Sequence, residues 1–158
     1  MPDADAPRNW TTTVPVERTL GELQRLLARA GARSVRIDYD AGVPTRLDFV
    51  ADTASGPVAY RLPLRADGVL RRLQQASQRT TASGRRRVPG TWVTREQAVR
   101  VGWRQVRDWV AAQLALIDTG AAAFEETFLA YEVVGGGRTL YEAWSAHKAL
   151  PGAGSGPS

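Results

Sequence analysis

Eight arginines and one tryptophan carry the clearest chemical signal in this chain: Arg79, Arg85, Arg86, Arg87, Arg95, Arg100, Arg104 and Arg107, with Trp92 among them. Holding a nucleic-acid backbone takes several cations along one surface, and a nearby aromatic ring stacks on unpaired bases. If about six of these arginines meet phosphates, log K falls against log salt with a slope of about −4 to −5. Trp92 is the stacking candidate; Trp103 and Trp109 lie in or beside an apolar helix face and are assigned to the core. No helix-turn-helix, zinc-finger or RRM signature accompanies the arginines, so the expected contacts are sequence-independent, with single strands slightly favoured over duplex.

The charge distribution sharpens this. The net charge is +5. Up to Leu70 there are nine basic and nine acidic residues, whereas from Arg71 to Arg107 ten arginines stand against Glu96 alone, a local +9. From Asp108 onward two basic and six acidic residues give −4. Such asymmetry fits an anionic partner for the middle segment, an acidic protein surface included, and would also permit self-association. Arginine in place of lysine at 20 of 21 basic positions suits bidentate phosphate contacts, though base composition of the genome would produce the same bias.

Other chemistry finds little support. With no cysteine there is no disulfide, thiolate metal site or thiol nucleophile. His147, the single histidine, falls at a helix end, where it meets the helix dipole rather than a substrate. Asp38, Asp40, Asp48 and Asp52 could gather a hard cation, but turns and facing arginines account for them. Adjacent Glu125 and Glu126 point to different sides of a helix. Gly135-Gly136-Gly137-Arg138 lacks the lysine and spacing of a P-loop and reads as a turn. The expectation is a non-catalytic protein without metal or cofactor. A metal-dependent nuclease is the least remote activity.

The element that must position the arginines is the stretch Thr94–Gly120. Thr94 with Gln97 forms a capping box and Gly120 a stop; at 100° per residue Val99, Trp103, Val106, Val110, Leu114 and Ile117 share one face, and Arg100, Arg104 and Arg107 an adjacent one. Before it, Thr19-Leu-Gly-Glu22 reads as a capping box for a helix from about Leu20 to Ala30. Three alternating runs follow: Val35, Ile37 and Tyr39; Leu47 and Phe49; Val58, Tyr60, Leu62 and Leu64. Turns at Asp40–Pro44 and Asp52–Gly56 join them into antiparallel hairpins, and Arg36, Asp38, Arg46, Asp48 and Arg61 on the polar face can pair across strands. Arg65–Arg79 forms a short helix, and the Gly- and Ser-containing run 78–91 a flexible basic loop. Phe124, Phe128, Leu129 and Tyr131 form a helical pattern; Thr139 and Glu142 box the start of a last helix with Leu140, Ala143 and Trp144 inward.

The predicted fold class is α+β: a helix, a three-stranded antiparallel meander covered by the long helix, and short C-terminal helices. A flexible arm occupies 1–13, with Trp10 docked back on the body, a single domain 14–148 and a disordered tail 149–158. No apolar run reaches the ~18 residues of a membrane span and no signal peptide is evident, which points to the cytoplasm.

Val14-Pro-Val-Glu-Arg-Thr-Leu20, Leu62-Pro-Leu64, the run from Trp103 through Phe124-Glu-Glu-Thr-Phe-Leu-Ala-Tyr131, Gly137-Arg-Thr139 and Trp144 together resemble a family of small phage and prophage proteins. The resemblance spans about Val14 to Trp144. It implies a phage-encoded protein in the host cytoplasm and supplies no catalytic residues. Two functions are therefore expected: non-catalytic nucleic-acid binding, or else a protein-interaction module that inhibits or adapts a host or phage protein, anti-defence roles included. Homo-oligomers are compatible with both.

Overall fold

Helix periodicity before and after a block of period-two alternation produces the predicted α+β order. A computed structural model of the protein describes residues 6–84 and 87–149. The elements are α1 (Val16–Arg29), β1 (Ala32–Asp40), β2 (Val43–Thr53), β3 (Gly56–Arg61), α2 (Ala66–Gln78), α3 (Arg95–Asp118), α4 (Phe124–Phe128), β4 (Val133–Val134), β5 (Arg138–Thr139) and α5 (Leu140–Lys148). Strands β1, β2 and β3 form an antiparallel meander with β2 central, and β4 pairs with β5. The chain divides into two compact units, one built from the segment up to Leu26 with Leu64–Ala112, the other from Leu27–Pro63 with the chain after Gln113.

In the unit that holds the sheet, Val35 faces Phe49, Ile37 faces Leu47 and Phe49 faces Tyr60. Leu47, Phe49, Ala51 and Tyr60 are buried. Within this unit α4 supplies the aromatic cover: the rings of Phe49, Tyr60, Phe124 and Phe128 stand 4.9–6.3 Å apart, three of the six pairs edge to face. The polar face forms the expected charge ladder, with Arg36–Asp38 at 2.7 Å, Arg46–Asp38 at 2.8 Å and Arg61–Asp48 at 3.0 Å. Asp38 and Asp48 thus have arginine partners.

One strand residue departs from the pattern. Tyr39, expected on the apolar face, is 59% exposed. A register shift between Asp38 and Tyr39 sets Tyr39 opposite Pro44 and breaks the alternation there. The turn beyond it is tighter than predicted: Ala41 (φ 47°) and Gly42 (φ 79°) are the two left-handed residues of a short hairpin, and β2 begins at Val43.

Two capping assignments change in the other unit. Helix α1 starts at Val16 rather than Leu20, because the carbonyl of Pro15 accepts the N–H groups of Arg18 and Thr19 at 3.2 and 3.3 Å. Thr19 is consequently a buried residue inside the first turn, not a cap, and Glu22 is available for another role. In α3 the cap is half of the predicted box: Thr94 Oγ1 accepts the Gln97 N–H at 3.0 Å. The Gln97 side chain turns elsewhere, its Nε2 donating to the carbonyls of Trp10 and Thr12, both at 2.9 Å. Gly120, at φ 74°, ends α3, with its N–H on Ile117 O and the Ala121 N–H on Leu116 O.

Those bonds from Gln97 belong to a longer seam. Gln105 Nε2 donates to Arg8 O at 2.8 Å, and Asn9 Nδ2 donates to Asp108 at 2.9 Å. Trp10 meets Trp92 edge to face at 5.9 Å. The part of the N-terminal arm that is described, from residue 6, is therefore tied to α3 by side-chain amides; residues 1–5 and 150–158 of the expected arm and tail lie outside the described residues.

Candidate nucleic-acid interface

The nine residues singled out in the sequence fall into three groups. The arginines of α3 are held by carboxylates. Arg104 Nη1 lies 2.8 Å and Arg107 Nε 2.9 Å from the same Glu22 oxygen; Arg107 also reaches Asp108 at 3.2 Å. Arg100 pairs with Glu96 at 2.6 Å, one turn back on the helix, and Arg95 with Asp67. Burial pushes the Glu22 carboxyl up, but the hydrogen bond from Arg104 and the charges of Arg104 and Arg107 outweigh it and hold the group below its ordinary value. Glu22 is the residue that sequence reasoning missed, since it was assigned to a cap. No local signal marks it, because the position three residues after Thr19 is the one a capping box occupies and its partner Arg104 lies 82 residues on.

Trp92 forms the second group. It sits in a single 3-10 turn, Gly90–Trp92, and packs against a cluster of Leu73, Ala76, Val88 and Ala98. Half-buried there and set against Trp10, it is part of the core rather than an open stacking platform.

The third group is the basic loop with the helix that leads into it. The Arg87 N–H donates to Arg79 O at 3.0 Å, and Val88 is fully buried, so the segment between them is closed at its base. Arg85 and Arg86 lie outside the described residues. Helix α2 buries Leu73, Ala76 and Ser77 and exposes Arg71, Arg72, Gln74, Gln75 and Gln78. Its one acidic residue, Asp67, is the partner of Arg95. The outer face of α2 is thus guanidinium and carboxamide throughout its last two turns, continuous in sequence with Arg79 and Arg87. Among the described residues, no group of three or more His, Asp or Glu is placed to hold a metal ion.

The sheet-containing unit carries a different surface. The sequence placed Leu140 and Trp144 inward, yet Trp144 is 54% exposed, and Leu129, Leu140 and Tyr141 are exposed beside it. They line an open groove of about 490 Å³ with Glu126, Thr127 and Ala130. Helix α5 has only nine residues, Leu140–Lys148, and the Thr139–Glu142 box, with bonds of 2.7 and 3.2 Å, fixes where it starts and hence which way it faces. Lys148 covers one face of Trp144 at 5.2 Å. The glycine run is a turn, as expected: Gly136 and Gly137 have φ of 79° and 69°, and the Gly137 carbonyl accepts Arg61 Nη1 at 2.9 Å. No helix of the described residues is long and apolar enough to cross a membrane. Compared with known proteins, the chain matches no family model, no curated sequence and no solved structure.

Proposed function

We propose that this protein is a non-catalytic nucleic-acid-binding protein of phage type whose cationic surface is the outer face of α2 with the arginine loop that follows it. The observation that carries the reading is the exposed face of α2, where Arg71 and Arg72 stand beside Gln74, Gln75 and Gln78 and run on in sequence to Arg79. The arginines of α3 pair with Glu22, Glu96, Asp67 and Asp108. Duplex is the favoured form. Trp92, the basis for preferring single strands, packs inward.

The test is a salt titration of labelled duplex DNA. With Arg71, Arg72, Arg79, Arg85, Arg86 and Arg87 engaged, log K should fall against log salt with a slope of about −5. Arg71→Ala with Arg72→Ala should flatten it by about 2, while Arg104→Ala with Arg107→Ala should lower the melting temperature and leave the slope in place. The opposite pattern, with the slope moving only in the α3 variant, would return the site to α3. No binding at 50 mM salt sinks the reading.

A second reading rests on the groove of Leu129, Leu140, Tyr141 and Trp144, which suits a protein-interaction module. It predicts one stoichiometric protein partner that co-purifies after nuclease treatment and is lost on Trp144→Ala. Retention of that partner by the variant would remove the groove from the interface.

A further inference from the structure

We propose that α2 enters the major groove of duplex DNA and that Arg71, Gln74, Gln75 and Gln78 read base edges there. This rests on the nucleic-acid reading above and adds sequence preference to it, where the sequence alone suggested phosphate contacts without selectivity.

Three observations converge. The first is rotation. Leu73 and Ala76 are fully buried and Ser77 nearly so, which locks the helix about its axis and leaves positions 71, 74, 75 and 78 outward. These positions are spaced i, i+3, i+4, i+7 and form one stripe. At 1.5 Å per residue the stripe is about 10 Å long, the length of roughly three base-pair steps. The outward side chains are unbranched, and the major groove, about 12 Å wide, admits a helix of this kind.

The second is chemistry. A glutamine carboxamide offers one acceptor and paired donors, matching the N6 and N7 edge of adenine; a guanidinium matches O6 and N7 of guanine. Three carboxamides and an arginine on one stripe make up a base-reading set, whereas a purely electrostatic surface would be served by cations alone. Gln75 Oε1 accepts from Arg72 Nη1 at 2.9 Å, so the carboxamide is oriented with its Nε2 donors away from that guanidinium.

The third is electrostatics. A carboxylate facing phosphates would oppose entry into the groove, and Asp67 is the one on this helix. Arg95 neutralises it from α3. Arg72 lies on the flank of the stripe and Arg79 just past its C-terminal end, where the two walls of a groove would present phosphates.

The test is enrichment from a random duplex DNA pool by the full-length chain, followed by titration of the preferred duplex against a shuffled one. The expected result is a motif of about three or four base pairs containing A and G on one strand, with at least a tenfold preference. In Gln75→Ala with Gln78→Ala the ratio of the two affinities should fall to about one; both residues are exposed on a helix, and a thermal melt would confirm that the variant folds. A wild-type protein that binds all duplexes equally overturns this inference and leaves the proposed function standing. A preference that survives the double substitution overturns it as well, by placing the reading elsewhere. Absence of any duplex binding overturns both.

Discussion

Replacing Phe128 with alanine is expected to cost about 3–5 kcal/mol, the largest single loss in the unit that holds the sheet. The side chain is fully buried, and its ring meets those of Phe49 at 5.8 Å, Tyr60 at 6.1 Å and Phe124 at 4.9 Å. Removing it forfeits the transfer free energy of a phenyl group and three ring contacts, and opens a cavity walled by a strand pair that cannot collapse without breaking its ladder. Phe128→Leu fills most of that space and should cost less than half as much. Denaturant unfolding of both variants checks this. Equal losses would mean that the void, and not the ring contacts, is immaterial to the quartet. The Tyr60 phenol adds a second readout: burial, with Glu132 and Glu125 nearby, pushes its pKa up, and opening the cluster should bring it back down in an absorbance titration.

Periodicity made most of this fold legible. Val35, Ile37, Leu47, Phe49 and Tyr60 alternate without ambiguity, and a one-residue slip would have exposed all of them, so strand and face were fixed together. The core stripe of α3 and the Gly120 stop were equally direct, because a helix that long leaves one rotation for its valines. What the pattern could not convey was competition for partners. Gln97 and Glu22 both stood at the fourth position of a capping box, and local spacing assigned both to the backbone. Each is instead committed to a distant segment: Gln97 to Trp10 and Thr12, 87 and 85 residues away, and Glu22 to Arg104, 82 residues away. A carboxylate with two guanidiniums at hand gains more than a cap offers, and such gains depend on tertiary neighbours that a sequence window never contains.

The candidate site shifted for the same reason. Counting charge along the chain weighted every arginine equally, but Arg95, Arg100, Arg104 and Arg107 pair with acids of α1, α2 and α3. Arg100, Arg104 and Arg107 were conspicuous in the sequence because they repeat at helical spacing, the same spacing that aligns them with the acids of α1 and α3. Arg71 and Arg72 are exposed on α2, and the neutral glutamines around them are what distinguish its face. Trp144 shows the converse: an aromatic residue at core spacing on a helix of nine residues has no assured neighbour.

Glu22→Gln is expected to cost about 2 kcal/mol and to lower the melting temperature by roughly 4–8 °C. The carboxylate is 19% exposed and its partners Arg104 and Arg107 are 22% and 30% exposed, so the charges are only partly screened by water. Glutamine keeps the shape and removes the negative charge, leaving two guanidiniums close together on one anchor, with Asp108 to hold Arg107 alone. The pH dependence follows from the direction of the shift. Glu22 has a folded pKa below the ordinary 4.5. As pH falls, the unfolded chain takes up this proton before the folded one, which favours unfolding. The contribution is therefore complete above about pH 4.5 and is lost as pH drops through the folded value. Melts of wild type and variant from pH 7 to pH 3 should converge in acid and differ most near neutrality. Curves that stay parallel across that range would show that Glu22 does not act through its charge. The same variant separates the two roles of arginine in this protein: duplex binding near pH 7 should survive in whatever fraction remains folded, because the loss strikes the pairs that hold α3 and leaves the face of α2 unaltered.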